Sequence, residues 1–457
     1  MRKQKLKYPI LTTISVLDDT LGYCPNCDKV TECVIIEEEG KVFLEKNCCG
    51  ERILLEKDVN FFRKMRLRFK ETEEWMNKFL TLEELEEELL NSTTFLCLYI
   101  TGKCNLDCPI CYLKHAKCFY GREPPFEEIS KFLERREKSI ILFMGAEPTM
   151  REDLFDLIKV AKRRGHVVMI FTNGIKLADE EYVRGLKEAG IDEIFFTLDG
   201  FDDRIIKELR GLPLMRTRMK ALENLKKLRI KTIIAMPIKK NLNEGEISKL
   251  FNFVVSNKDF VDGVYIEGVW LPDEENELQP TVTISEICKI LSANLNIDET
   301  YFHEVRRFKL NIYRLLSKIL GSKHRKNFTL FRGDASYFII HDGKILPLFS
   351  IRELKEVNEV IENSLTHRKK IKVLISLLRG FRPLWKIMRK IPPKLMIVGI
   401  LSRFNQVKMY RTYIKTGIFR ILTGELVGFR NLDLSRRPSC WNFSFSIYSP
   451  EATLTPQ

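Results

Sequence analysis

Three cysteines on one short loop, Cys104, Cys108 and Cys111, constrain this chain more than any other feature. They lie in Thr101-Gly-Lys-Cys-Asn-Leu-Asp-Cys-Pro-Ile-Cys-Tyr112, a C-x3-C-x2-C spacing that crowds soft thiolates together. Three such ligands suit an iron–sulfur cluster, and a 4Fe–4S cube held by three thiolates leaves one iron open for chemistry. A zinc ion is the competing occupant. It needs a fourth ligand, for which Cys118 and His115 are nearest.

The residues C-terminal to the triplet narrow the choice. Ser139–Met144 is an apolar run entering Gly145-Ala-Glu-Pro-Thr149, Val167–Thr172 enters Asn173-Gly174, and Glu193–Leu198 enters Asp199-Gly200. Further strands are readable at Thr94–Thr101, Lys231–Met236 and Gly263–Trp270. Helical stretches separate them at Phe126–Glu137, Asp153–Arg164, Asp179–Ala189, Arg216–Leu228 and Glu244–Ser256. Strands alternating with helices predict an α/β fold with a parallel sheet and right-handed crossovers. The polar, glycine-bearing turns all fall at strand C-termini, where such folds place ligand sites.

This combination resembles the radical S-adenosylmethionine (SAM) superfamily. There the C-x3-C-x2-C loop follows the first strand and a Gly-Gly-Glu-Pro-like turn follows the second; here Ala146 stands at the second glycine. The resemblance implies a partial (β/α)6 barrel, open on one side, with a 4Fe–4S cluster on Cys104, Cys108 and Cys111. SAM would chelate the fourth iron, and its reductive cleavage would give a 5′-deoxyadenosyl radical that takes hydrogen from an unactivated C–H bond. An electron donor such as a ferredoxin or flavodoxin is implied as well. On the same resemblance Gly145, Ala146, Glu147, Pro148 and Thr149 would bind the SAM amino group, with Thr172 and Asn173 against its methionine part. Asp199 would meet the ribose hydroxyls, or else cap a turn, and Tyr112 would shield the cluster, face the adenine or pack in the core. No residue is singled out as catalytic.

At 457 residues the chain exceeds one core, and it divides into four stretches. Residues 1–60 form a knuckle domain, 61–92 a helical linker, 93–300 the barrel, and 301–457 a mainly helical, basic C-terminal region contacting substrate or membrane. In the first, Cys24-Pro-Asn-Cys27 and Asn47-Cys-Cys-Gly50 flank a hairpin turning at Glu39-Gly40. Two cysteine turns so presented look like a rubredoxin or zinc-ribbon site for iron or zinc. Adjacent cysteines diverge, so Cys24, Cys27 and Cys48 are the expected ligands, with Cys49 or Cys33 as fourth. In the last region Asp342-Gly343 marks a hairpin within Tyr337–Pro347, after a helix near Val305–Leu320.

Charge is concentrated. From His367 to Gly424 there is no Asp or Glu, against fifteen Lys or Arg from Arg368 to Arg420, enough to account for the whole net charge of +14. The same stretch is apolar, as in Val373-Leu-Ile-Ser-Leu-Leu378, and Gly380, Pro383, Pro392 and Pro393 break it into short helices. Basic amphipathic helices of this kind lie on anionic membranes; an ordinary helical lid and a nucleic-acid surface are the alternatives, the last disfavoured by the apolar density. No apolar run reaches the ~18 residues needed to span a bilayer. The basic start before Ile10–Leu17 reads as an entry strand, not a signal peptide. Twelve cysteines then favour metal ligation over disulfides, in a cytoplasmic enzyme, peripheral on the inner face of a membrane where the basic segment docks.

A closer resemblance covers roughly residues 20–300. The Cys-Pro-x-Cys knuckle, Lys46-Asn-Cys48, Cys-Asn-Leu-Asp-Cys-Pro-Ile-Cys and Thr197-Leu-Asp-Gly-Phe-Asp-Asp203 look like the tetraether lipid synthase branch, archaeal enzymes that couple, crosslink or cyclise isoprenoid lipid chains. A membrane lipid is therefore the expected substrate, with a peptide, RNA or small cofactor as the alternative. No cysteine lies between Cys118 and Cys288, and Cys288 and Cys440 alone follow, too few for the auxiliary clusters of that branch. A paralogous C–H modification is the expectation, with Cys440 as a buried thiol or a hydrogen-atom donor.

Overall fold

The computed structural model describes residues 14–24, 27, 29–65, 95–111, 123–272, 278–320, 336–401, 406–424, 443–446 and 453–456. Tyr112, Cys118, His115, Cys440 and most of the expected linker fall outside them.

The N-terminal unit is an antiparallel meander of β1 (Ser15–Cys24), β2 (Lys29–Glu38), β3 (Lys41–Lys46) and β4 (Arg52–Glu56), closed by α1 (Val59–Met65). The β2–β3 hairpin turns at Glu39-Gly40, both with positive φ (51° and 76°), as a tight hairpin requires. Alternation along β2 and β3 sends Cys33, Ile35, Val42 and Leu44 into a small core with Leu55, Val59 and Phe62. The unit is tied to the rest of the chain by Glu56, whose carboxylate accepts from Ser285 N (3.1 Å) and Ser285 Oγ (2.6 Å).

The central sheet contains β5 (Phe95–Thr101), β6 (Ile140–Gly145), β7 (Val167–Thr172), β8 (Glu193–Thr197), β9 (Lys231–Ile238) and β10 (Val261–Gly268), each parallel to the next. Six parallel strands in chain order are what the sequence predicts. Both faces are covered: Leu98, Phe143, Ile170, Phe196 and Ile234 pack into the main core, while Cys97, Leu142, Met169, Phe195 and Ile233 form a second cluster on the other face. That double burial is why these strands read as continuous apolar runs. The connecting helices are α2 (Phe126–Arg135), α3 (Leu154–Arg163), α4 (Glu180–Ala189), α5 (Asp203–Arg210), α6 (Met215–Lys227) and α7 (Glu246–Ser256). Helix α5 is absent from the sequence reading; it is short, capped by Asp202 accepting from Arg204 N, and closed by Gly211 at φ 84°.

After a two-stranded piece, β11 (Trp270–Pro272) with β12 (Leu278–Pro280), come α8 (Ile284–Leu295), α9 (Tyr301–Leu320), the hairpin β13 (Ser336–His341) and β14 (Lys344–Pro347), and α10 (Ile351–Leu365). The chain continues through α11 (Lys370–Arg379), α12 (Phe381–Met388), α13 (Pro393–Leu401), α14 (Gln406–Tyr413), β15 (Phe419–Gly424), β16 (Phe443–Ser446) and β17 (Thr453–Pro456).

Beyond residue 300 the chain returns to the central sheet. The hairpin and β15 join the central sheet, whose order is β14-β13-β15-β10-β9-β8-β7-β6-β5-β16-β17, with β15 parallel to β10. Helix α14 packs Val407 and Tyr410 among Cys97, Met169 and Phe195. Glu193, at the start of β8 and fully buried, binds both the Tyr410 hydroxyl and the Arg420 guanidinium. Arg411 donates to the carbonyls of Gly165 (2.9 Å) and His166 (3.2 Å), in the turn that precedes β7. The far end of the basic segment is thus internal structure, not surface. Replacing Arg420 by Met leaves the Glu193 carboxylate buried without its cation. Chemical denaturation is expected to show a loss of about 3–5 kcal/mol; unchanged stability would mean that β15 does not close the sheet this way.

Candidate functional site

The turns after β5, β6 and β7 are stitched together through backbone and one carboxylate. Ala146 N donates to Thr101 O (2.9 Å) and Glu147 N to Lys103 O (3.0 Å), so the turn after β6 is hydrogen-bonded to the start of the cysteine loop. Gly145 has φ 139°, and a Cβ there would lie 2.2 Å from Thr101 O, which excludes any side chain. Ala146 has no positive φ, so its backbone accepts a side chain without strain.

Glu147 is buried, and its carboxylate accepts four hydrogen bonds. These come from Thr149 N (3.1 Å), Thr149 Oγ1 (2.6 Å), Thr172 Oγ1 (2.7 Å) and Asn173 N (2.7 Å). Burial raises its carboxyl above the ordinary range, while the donors from Asn173, Thr149 and Thr172 work against that rise. The side chain is therefore an internal clamp, and what the turn offers a ligand is backbone. Asn173 in turn donates from Nδ2 to Asn105 Oδ1 (2.8 Å), within the cysteine loop, and that nitrogen lies 4.0 Å from Cys104 Sγ.

Cys104 and Cys111 are half-buried and Cys108 is buried, nested with Leu106, Ile110, Ile206 and Leu214 in an apolar shell. Two donors already address the sulfurs: Leu106 N is 3.4 Å from Cys104 Sγ, and Arg210 Nη1 is 3.9 Å from Cys108 Sγ. Burial, Glu147 and the neighbouring thiols push the Cys104 thiol up to about 11, against the Leu106 bond; a bound metal takes such a thiol as thiolate. Three thiols on one loop, N–H donors at two sulfurs and an apolar surround fit an iron–sulfur cluster.

Asp199 departs from expectation. It is fully buried, held by Arg210 on both oxygens (2.6 and 2.9 Å) and by Arg218 Nη1 (2.5 Å). Burial alone would raise it, but the two guanidiniums hold it down at about 2. In this arrangement the carboxylate orients Arg210 toward Cys108 instead of facing a diol. Neither arginine is legible in the sequence, since ion pairs 11 and 19 residues apart carry no sequence period.

Equally hidden from the sequence is Glu267, at the end of β10, which accepts from Tyr265 Oη at 2.9 Å. Burial pushes its carboxyl to about 7, despite that bond and the Arg210 charge. Tyr265 packs edge-on against Phe171 and Phe195, whose rings stack at 5.7 Å.

In the N-terminal unit the sulfurs of Cys27, Cys48 and Cys49 lie within 4.8 Å of one another. Cys24 ends β1, opposite Lys29 across the same turn. Cys49 thus lies beside Cys48 in the turn after β3, whereas Cys33 is buried in the core of the meander. The set is three soft donors with a fourth cysteine on the same hairpin, which fits a tetrahedral iron or zinc.

The sequence pattern of the radical SAM superfamily matches residues 98–254. The chain is 29% identical over 385 residues to 7,8-dihydro-6-hydroxymethylpterin dimethyltransferase of Methanocaldococcus jannaschii, covering 78% of this chain and 74% of that one. It is 31% identical over 163 residues to Fe-coproporphyrin III synthase of Methanosarcina barkeri, 35% of this chain and 40% of the relative. Streptococcus suis SuiB bound to S-adenosylmethionine aligns over 56% of this chain and 66% of its own, at 17% identity and a TM-score of 0.39.

Replacing Glu147 by Ala orphans the Thr172 and Asn173 donors. The expected result is a loss of about 1–3 kcal/mol in stability and SAM binding weakened about tenfold or more in equilibrium dialysis, with iron content retained. Wild-type SAM affinity in this variant would contradict the clamp.

Proposed function

We propose that this enzyme of the radical SAM type removes a hydrogen atom from an unactivated C–H bond of an isoprenoid membrane lipid, leading to coupling, crosslinking or ring formation. When bound, a 4Fe–4S cluster and SAM supply the 5′-deoxyadenosyl radical for that step. Cys104, Cys108 and Cys111 would hold the cluster, and the backbone of Gly145–Thr149 with Thr172 and Asn173 would receive SAM. Arg210, fixed by Asp199, keeps positive charge beside Cys108. A ferredoxin-like or flavodoxin-like protein would deliver the electron, and Cys27, Cys48, Cys49 and Cys24 would bind an accessory iron or zinc.

The lipid reading rests on the sheet face beside the cysteine loop. Phe171 lies two residues before Asn173, whose side chain reaches Asn105; it stacks with Phe195, meets Tyr265 edge-on, and belongs to the same cluster as half-buried Met144. An apolar wall there suits a hydrocarbon and keeps water from a reactive radical.

A second reading has one observation in its favour. Glu267, raised to about 7 and bonded to Tyr265, is the kind of group that reads the N–H edge of a heterocycle, and the Methanocaldococcus relative is named for a pterin. On this reading the substrate is a small heterocyclic cofactor.

Deuterium transfer separates the two. The reduced, cluster-loaded protein is given SAM with either a chain-deuterated isoprenoid glycerol lipid or a deuterated pterin. The lipid reading expects deuterium in 5′-deoxyadenosine from the lipid; label from the pterin instead would replace it with the second reading.

A further inference from the structure

We propose that helices α11, α12 and α13 form a docking surface for an anionic lipid bilayer. The inference stands whichever substrate the barrel takes. Seven of the eleven exposed large apolar side chains among the described residues lie between Ile371 and Ile397. They are not scattered: Ile371, Leu374 and Leu378 follow one another along α11, and Phe381 and Trp385 stack at 5.6 Å one turn apart on α12. Leu378 is 71% exposed and Trp385 52%.

Helices α11 and α12 have already used an inner face. Val373 and Ile387 are buried in the main core, so the outer apolar residues are additional to what folding requires. A helix apolar on two sides needs a second apolar partner. Its chemistry follows from the charges that share the surface: Lys370, Lys372, Arg379, Arg382, Arg389 and Lys394 are all exposed. From His367 to Gly424 the chain has no acidic residue. Lys386 and Lys390 reach back to Glu356 (3.3 Å) and Glu353 (2.6 Å) on α10, which anchors α12 against the body.

The lengths fix the mode of contact. Gly380, Pro383, Pro392 and Pro393 limit the helices to 10, 8 and 9 residues. No helix among the described residues is long and apolar enough to cross a membrane. Short helices bearing leucine, isoleucine and tryptophan beside lysine and arginine lie in the plane of the interface, rings and aliphatic chains inserted and cations among phosphates. A nucleic acid would use the cations but would leave the apolar side chains in water.

The test is co-sedimentation of the full chain with vesicles of phosphatidylglycerol and phosphatidylcholine in equal parts, against phosphatidylcholine alone, without SAM or reductant. Failure here is thereby separable from failure of the lipid-substrate reading, because neither vesicle contains an isoprenoid lipid. Binding to the anionic vesicles is expected to be about tenfold tighter or more than to the neutral ones. The double variant Leu378→Glu/Trp385→Glu is expected to lose at least about tenfold of it, and Lys372→Glu/Arg379→Glu to remove the preference for anionic lipid. All four side chains are exposed, so unfolding is not expected, and an unchanged thermal midpoint checks this. Equal sedimentation with and without vesicles, wild-type binding by the Leu378/Trp385 variant, or tight RNA binding that this variant retains would each overturn the proposal.

Discussion

The site depends on one buried carboxylate. Glu147 takes hydrogen bonds from its own turn and from the turn after β7, while its backbone N–H is bonded to the cysteine loop. Three segments far apart in sequence are thereby held in one register at the C-terminal edge of the sheet. Four donors on one acceptor group leave little freedom, and a buried polar network of this kind is rigid only while every member is satisfied. The glycine before it is equally constrained, because Thr101 O occupies the space of a side chain. Backbone atoms around Glu147 are consequently what this turn leaves for a ligand, and the side chain is what organises them.

At the opposite end of the strands a second buried ionic group does comparable work. Glu193, Tyr410 and Arg420 join β8, α14 and β15 into one network, so the C-terminal segment extends the parallel sheet of β5–β10. The basic segment accordingly has two roles along its length. Arg411 and Arg420 are consumed inside the protein, whereas the cations of α11–α13 stay at the surface beside exposed leucine, isoleucine and tryptophan. Net charge alone does not distinguish these, since both parts lack acidic residues.

Legibility of the fold tracks the range of the forces involved. Strands β5–β10 and five of their helices are readable because double burial writes continuous apolar runs and helix faces write a 3.6-residue period. The cysteine loop and the Gly145–Thr149 turn stand out in the sequence because their residues are close neighbours along the chain. Hairpins at Glu39-Gly40 and Asp342-Gly343 are readable because their positive φ values favour the glycine each turn carries. The features that escape are long-range: the Asp199–Arg210–Arg218 cluster, the Glu267–Tyr265 pair, and the insertion of β15 beside β10. Asp199 reads in sequence as a ligand of ribose because its partners lie on helices the turn motif does not include. Adjacency argues against Cys49, yet the turn after β3 brings it beside Cys27 and Cys48.

The central claim is that the cysteine loop and the clamped turns form one site for a cluster and SAM. Electron paramagnetic resonance of the anaerobically reconstituted, reduced protein tests it most directly, recorded before and after SAM is added. The account predicts a reduced 4Fe–4S signal whose g-values shift on addition of SAM, and its absence when Cys104, Cys108 and Cys111 are replaced by Ala. A signal indifferent to SAM, or one that survives loss of all three cysteines, would contradict it.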